Sequence, residues 1–406
     1  MNPALQQLKP YPFERLSQLL ANAKPPPGLK EISLGVGEPQ HPVPELILEA
    51  LQANLGGIAH YPNSLGSMAL REAIAYWLTQ RFKLTDNGID PNSQILPVCG
   101  TREALFAFAQ AVIDNSQPAS VLMPNPFYQI YEGASLLAGA QPEYVPCSAA
   151  SSWLPDFGQV SEAQWQRCQL LYICSPGNPT GAVLGLEALK DLLELAQRYD
   201  FIVASDECYS EIYLDEQKPP AGLLQAAADM GNTDFKRCVV FHSLSKRSNV
   251  PGMRSGFVAG DAQVLAQFRR YRTYHGSTMS PAVQSASAVA WADEAHVEQN
   301  RKLYRAKFDG FLQTLDAETL DGRIQVSAPS ASFYLWPRLN LAKDDDESFT
   351  RRLLCEAGLR VLPGRYLARD VNNANPGKNH LRLSLVASVD DCQQAAQRIR
   401  ELILAS

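Results

Sequence analysis

From residue 94 to residue 260 the chain repeats one pattern: a short apolar run, a polar or glycine-bearing turn, then a helical stretch. The runs are "QILPVCG", "ASVLMPNP", "LLYICSPGNP", "FIVASDE", "CVVFHSLSK" and "SGFVAG"; the stretches include "REALFAFAQAVI" and "LEALKDLLELAQRY". Short apolar runs bounded by turn residues read as buried strands, and the 3.6-residue spacing between them reads as helix. Strands that alternate with helices lie mostly parallel, because each crossover returns the chain to the same end of the sheet. The expected fold class is therefore α/β, with a large domain built on a mainly parallel central sheet flanked by helices. In such sheets ligands gather beyond the carboxyl ends of the strands. The residues just after each run are thus the site candidates.

The flanks differ. Residues 14–23 read as a short amphipathic helix before the breaker "KPPPG", and "PELILEALQANL" and "MALREAIAYWLTQRF" also have helical spacing. After residue 280 comes one long helical stretch through "FLQTL". Strand-like pieces follow ("IQVSAPSASFYLWPRL", "GLRVLPG", "HLRLSLV"), then a last helix, "VDDCQQAAQRIRELIL". This reads as a smaller α+β domain. The expected division is an arm with part of the small domain over 1–42, a large domain over 43–284, and the small domain over 285–406. "KDDDES" reads as a solvated turn and helix start.

Composition excludes several classes. With 46% hydrophobic and 19% charged residues the chain is globular rather than disordered. A net charge of −6 argues against a nucleic-acid partner. No apolar run approaches the ~18 residues of a membrane helix, so no membrane partner is expected. "MNPALQQLKPYPFERLSQLL" has no secretory pattern. The eight cysteines are scattered without a C-x-x-C pair, as reduced thiols of a cytoplasmic enzyme would be. The six histidines are dispersed, so no metal site is expected.

Converging at one sheet edge, the turns would assemble a coherent set. Gly100, Thr101 and Arg102 open a helix; Ser243, Ser245 and Arg254 add hydroxyls and a guanidinium. Together these suit a phosphate. Tyr128 offers an aromatic face, Asp206 a carboxylate and Lys246 an amine. A phosphorylated aromatic aldehyde uses every one of them, and pyridoxal 5'-phosphate fits.

The motifs "YPNSLGSMALREAI", "GTREALF", "PNPFYQIY", "SPGNPTG", "SDECYSEI" and "SLSKRSNVPGMRSGF" occur in one order along nearly the whole chain. In this they resemble the fold-type I pyridoxal-phosphate enzymes, the class I/II aminotransferases. The resemblance implies that Lys246 is the lysine covalently joined to the cofactor, and that it later moves the substrate proton. It implies that Asp206 faces the pyridine nitrogen, with a helix N-cap as the competing reading. Asn178 and Tyr209 would bond the ring's 3-oxygen, where turn chemistry and core packing compete. Tyr128 would stack on the ring, again against core packing.

Thr101, Arg102, Ser243, Ser245 and Arg254 would form the phosphate cup, although the Arg102 side chain could instead face solvent. Tyr61 would reach the phosphate of a neighbouring subunit, so a homodimer with shared sites is expected; a loop tyrosine covering its own core competes. Arg382 would grip the substrate α-carboxylate, against a solvent-facing strand arginine, and Gly37 would line the substrate pocket, against a plain turn glycine.

The implied activity is amino transfer between amino acids and 2-oxo acids. A gripped carboxylate argues against α-decarboxylation. The run "SLSKRSNVPGMRSGFVAGD", with "YPFERL" and "YHGSTMSP", is similar to bacterial N-succinyldiaminopimelate aminotransferases. That similarity implies N-succinyl-LL-2,6-diaminopimelate and 2-oxoglutarate as reactants in lysine and diaminopimelate synthesis. Such a substrate carries remote carboxylates, for which Arg247, Arg272 and His275 are candidates by position, against a solvated surface place for each. A broad 2-oxoglutarate-linked aminotransferase, a C–S lyase and a cofactor-sensing regulator remain alternatives. The regulator reading lacks room for a DNA-binding domain before the motifs begin.

Overall fold

The computed structural model describes residues 1–84, 88–276 and 278–405. Its centre is a seven-stranded sheet. In chain order the strands are β1 (Ile95–Val98), β2 (Ser120–Asn125), β3 (Gln141–Pro146), β4 (Cys168–Cys174), β5 (Ile202–Asp206), β6 (Cys238–Ser243) and β7 (Gly256–Gly260). Across the sheet they lie in the order β1-β7-β6-β5-β4-β2-β3. All neighbours are parallel except β7, which runs against both β1 and β6. The mainly parallel α/β sheet read from the sequence is therefore present.

Each expected run forms a strand. The unanticipated one is β3, whose sequence "QPEYVP" carries two prolines and reads as loop. It is an edge strand pairing only with β2, where proline's missing N–H costs no ladder bond.

Helices cover both faces of the sheet. Met68–Phe82 starts at Ser67, whose hydroxyl accepts from the Leu70 N–H, and turns Leu70, Ile74, Trp77 and Leu78 inward. Leu186–Tyr199 buries Leu189, Leu192, Leu193 and Ala196 along one face. The long helical stretch expected after residue 280 breaks in two, Pro281–Ala292 and Ala295–Leu315. The carboxylate of Asp293 accepts the His296 N–H at 3.0 Å and so starts the second helix. The expected boundary at 284/285 falls inside the first of these helices. Ala286, Ala290 and Trp291 belong to the sheet's core, where Trp291 packs 4.7 Å from Trp77.

A second core gathers Ile32 and Leu34 with residues of the last hundred. Ile32–Ser33 pairs in parallel with Leu359–Arg360. Leu381–Ser384 is the middle strand of a small antiparallel sheet, between Tyr334–Leu335 and Leu362–Pro363. Helices Ala295–Leu315 and Val389–Leu404 pack on one another against it. From Leu34 the chain continues as a strap over residues 35–41, which passes Lys246 at Gly37 and Asn300 at His41. "KDDDES" is less solvated than expected. Asp346 is fully buried, and Arg365 is ion-paired with Asp345, Asp346 and Glu347.

Among the described residues no helix is long and apolar enough to cross a membrane. No cluster of His, Cys, Asp and Glu could hold a metal ion among them. All eight cysteines are free thiols.

Candidate active site

The sheet order explains where the side chains meet. β2, β4, β5 and β6 all end at one edge, and β1 ends there too, because two reversals flank β7. β7 starts at that edge, which places Arg254, just before it, beside Gly100 and Thr101, just after β1. The small unit brings Arg382 across from above. The result is a cavity of about 250 Å³ lined by Gly37, Thr101, Arg102, Tyr128, Asn178, Asp206, Tyr209, Ser243, Ser245, Lys246, Arg254 and Arg382. A larger crevice of about 570 Å³, between Thr180–Val183 and Gln325–Ser330, touches the site only through Tyr334 and holds none of these residues.

One end of the cavity is a cup. Helix Thr101–Val112 begins there with Gly100 at φ +86°, and a Cβ at Gly100 would collide with the Arg254 guanidinium. The backbone therefore lies directly against the cation. Ser243 Oγ accepts the Ser245 N–H at 3.1 Å and donates to the Ser255 carbonyl at 3.3 Å. Arg254 itself donates to the Pro251 carbonyl at 2.9 Å and is otherwise exposed at the cup's rim. Arg102 points out of the cup, its guanidinium 5.2 Å from the Tyr11 ring.

At the floor, Asp206 is buried. Tyr131 donates to its Oδ2 at 2.8 Å and the Cys208 N–H to its Oδ1 at 3.3 Å. Burial raises its carboxyl above the ordinary value, against these bonds and the nearby His242. Among the described residues no cation forms an ion pair with it. Tyr131 stacks on Tyr172 (4.7 Å, 11°) and meets Tyr128 edge-on at 5.7 Å.

Lys246 reaches in from the turn Leu244–Arg247, and its Nζ donates to the Gly37 carbonyl at 2.5 Å. Burial, reinforced by the charges of Arg382 and Arg254, lowers its amine from 10.5 to about 8. Arg382 is buried, donating from Nη1 to Asn178 Oδ1 at 3.1 Å and from Nη2 to the Gly35 carbonyl at 2.7 Å. Its Nε has no hydrogen-bond partner among the described residues. The Tyr209 and Tyr334 hydroxyls are 2.8 Å apart, and the Tyr334 ring lies under the Arg382 guanidinium at 4.6 Å.

Tyr61 is not in the cavity; it stands fully exposed. The remote-carboxylate candidates are misplaced. Arg247 points away from the cavity into the core, between Trp77 and Trp291, donating to the Ala290 carbonyl at 2.6 Å and paired with Glu294. Arg272 is buried and paired with Glu103 at 2.5 Å, with His275 beside the same carboxylate at 3.5 Å. None of the three lines the cavity.

Sequence reading missed Tyr11, Phe13, Cys208 and Tyr334, which also line it, and Tyr131 behind Asp206. Cys208 and Tyr131 sit inside quoted motifs, "SDECYSEI" and "PNPFYQIY". Tyr11 and Phe13 sit in "YPFERL", quoted for the resemblance without a site role for either residue.

The donor set fits pyridoxal phosphate. A cup of helix-start N–H groups, hydroxyls and a guanidinium faces one end, a buried carboxylate without a counter-cation lies at the floor, and an amine reaches between. Fold and site define an enzyme built around this cofactor. A profile for aminotransferase class I and II matches residues 30–399. The chain belongs to that family, the fold-type I pyridoxal-phosphate-dependent aminotransferases, which act on amino acids and 2-oxo acids.

Among curated relatives, two named LL-diaminopimelate aminotransferase are similar over 98% of this chain and of their own. That of Maridesulfovibrio salexigens is 31% identical over 401 residues and that of Aquifex aeolicus 32% over 404. Among solved structures, an aminotransferase from Neisseria meningitidis superposes with TM-score 0.92 at 47% identity, covering 99% of this chain and all of that one. Aminotransferase AspB of Helicobacter pylori gives 0.88 at 35%, covering 98% and 100%.

Proposed function

We propose that this chain transfers an amino group between N-succinyl-LL-2,6-diaminopimelate and 2-oxoglutarate in lysine and diaminopimelate synthesis. One observation carries the substrate. Besides Lys246 the cavity is lined by Arg102, Arg254 and Arg382, and Asp206, at the ring end, is the one carboxylate among the described lining residues. A diaminopimelate with a free distal ammonium would need an acid to receive it. Succinylation removes that ammonium and adds one carboxylate, which the spare guanidinium of Arg102 can meet. A second reading, un-succinylated LL-diaminopimelate, is favoured by the names of the curated relatives.

The cofactor, when bound, supplies a carbonyl carbon for the amine and a ring that withdraws electrons. The roles of the chain's own residues follow. The Gly100–Thr101 turn, Ser243, Ser245 and Arg254 hold the phosphate, with the Arg102 N–H at the same helix start. Asp206 holds the proton at the ring nitrogen, kept in place by Tyr131. Asn178 and Tyr209 orient the ring's 3-oxygen, and Tyr128 covers its face. Arg382 binds the α-carboxylate of each substrate in turn, with Gly37 leaving room under the strap. Lys246, neutral more readily than an exposed lysine, carries the proton from the substrate Cα.

The same reading includes a cytoplasmic homodimer in which Tyr61 reaches the partner's phosphate; its full exposure away from its own cavity supports this. It also divides the chain at residue 42 and near Asp293 rather than at 284, following the two cores.

The test is spectroscopic. L-glutamate alone should convert the bound cofactor's absorbance band to that of its amine form, and N-succinyl-2-amino-6-oxopimelate should restore it. In the reverse direction kcat/KM for N-succinyl-LL-diaminopimelate should exceed that for LL-diaminopimelate by roughly 100-fold. The opposite ratio would select the second reading. Equal rates with unrelated oxo acids would mark a broad aminotransferase.

A further inference from the structure

The turn that carries Lys246 is held from behind by Asn300, on helix Ala295–Leu315. Asn300 Nδ2 donates to the carbonyls of Lys246 (3.2 Å) and Arg247 (3.3 Å). Carbonyls only accept, so the carboxamide has one orientation and its Oδ1 is left to accept. It accepts from Asn249 Nδ2 at 3.1 Å and lies 2.7 Å from His41 Nδ1. His41 must therefore donate from Nδ1. Burial, with Lys307 nearby, lowers its imidazole to about 4, so the ring is neutral and its single proton sits on that nitrogen. Asn300 is only 2% exposed. A buried carboxamide with both donors and its oxygen engaged is rigidly placed.

His41 belongs to the strap that also carries Gly37, the acceptor of the Lys246 amine. A closed ring of contacts results. The lysine side chain meets the strap at Gly37, the strap meets Asn300 through His41, and Asn300 returns to the backbone of Lys246. Asn300 and His41 do not line the cavity.

We propose that Asn300 is a positioning residue for Lys246, fixing the distance between the lysine backbone and the strap opposite and so the reach of the amine. This rests on the proposed role of Lys246 in moving the substrate proton. Proton transfer is sensitive to such placement, since a misplacement of about 1 Å costs on the order of 100-fold.

The experiment uses Asn300→Leu, similar in volume and without hydrogen bonds, as holoenzyme in single turnovers with L-glutamate and its α-deuterated form. The half-reaction should slow by roughly tenfold, with glutamate binding changed less than about twofold. The deuterium isotope effect should rise, because the proton step becomes limiting. In cofactor-free protein, amide exchange should quicken across residues 244–250 and not across β2. His41→Ala severs one arm of the ring and should show a smaller loss of the same kind. A wild-type rate and isotope effect per bound cofactor would overturn the proposal even if Tm falls, because a merely structural role lowers stability without touching the proton step. If Asn300→Leu does not fold, His41→Ala and Asn249→Ala carry the same readouts. If the wild type gives no half-reaction with glutamate, the functional reading fails, and the exchange pattern alone decides whether Asn300 holds the turn.

Discussion

Lys246 and Arg247 are neighbours in sequence and both are cations taken out of water, yet they face opposite sides of one turn. On the cavity side Lys246 has a single carbonyl as hydrogen-bond partner, and across from it Arg382 keeps an unpartnered Nε. On the other side Arg247 meets the carbonyls of Ala290 and Asp293 and the carboxylate of Glu294, between two tryptophans. Ser248 Oγ lies 2.8 Å from His296 Nε2, and the same ring is held through its Nδ1 by the Asp293 carboxylate at 2.6 Å. Arg247 Nε too lacks a hydrogen-bond partner among the described residues, so the difference lies in number: one carbonyl for the lysine in front, against two carbonyls, a hydroxyl and a carboxylate for the arginine behind. Under-paired buried groups cost stability, and they persist where a ligand completes them. Well-paired groups behind them keep the front from relaxing.

The contrast can be broken at the front with the largest effect. Lys246→Ala should lower kcat by at least roughly 1,000-fold, by loss of both the covalent attachment and the proton carrier, with little change in Tm. Stopped-flow turnover with glutamate and a thermal scan of the same sample check both halves. Arg382→Lys should come next. It keeps the charge and loses the two-pronged geometry, so kcat/KM should fall roughly 100-fold for every α-carboxylate substrate, whichever amino acid is offered. An effect confined to one substrate would contradict a shared carboxylate site.

At the back the outcome should invert. Arg247→Met fills a similar volume without the charge. It should keep kcat within about threefold per bound cofactor while destabilising the fold by about 1–3 kcal/mol, discounted because Glu294 is half exposed and can turn to water. Unfolding by urea measures this.

The smallest effect is the sharpest test of the front's electrostatics. Burial holds the Lys246 amine near 8, so in cofactor-free protein its reactivity toward an aldehyde should rise with pH and level off above about 8. Arg382 adds to the lowering by like charge, so Arg382→Met should move that midpoint upward. No shift, or a downward one, would deny the two cations a shared cavity.

Much of this site could be read from residue order. Asp206, Ser243 and Asn178 stand at strand ends because parallel strands must deliver their turns to one edge, and period and turn chemistry are local properties. The two-prolined edge strand β3 was lost for the same reason: its role depends on having one neighbour, which no local pattern reports. For the remote cation, position offered Arg247 either to the cavity or to solvent, and the structure places it in neither. Arg247 directly follows the lysine, but a helical turn sends consecutive side chains in different directions, and the partners that fix this one lie more than forty residues on.

By itself, then, the sequence determined the class of fold, the cofactor's chemistry and the family, because alternating strands, turn residues and a lysine among small residues are properties of short windows. Only the tertiary structure decided which cations face the cavity, that Tyr11, Phe13 and Tyr334 help to line it, and that Asn300 joins the lysine turn to the strap. Those contacts span tens to hundreds of residues. They exist only once two cores have packed, and packing is settled by volume and partner availability across the whole chain rather than by any stretch of it.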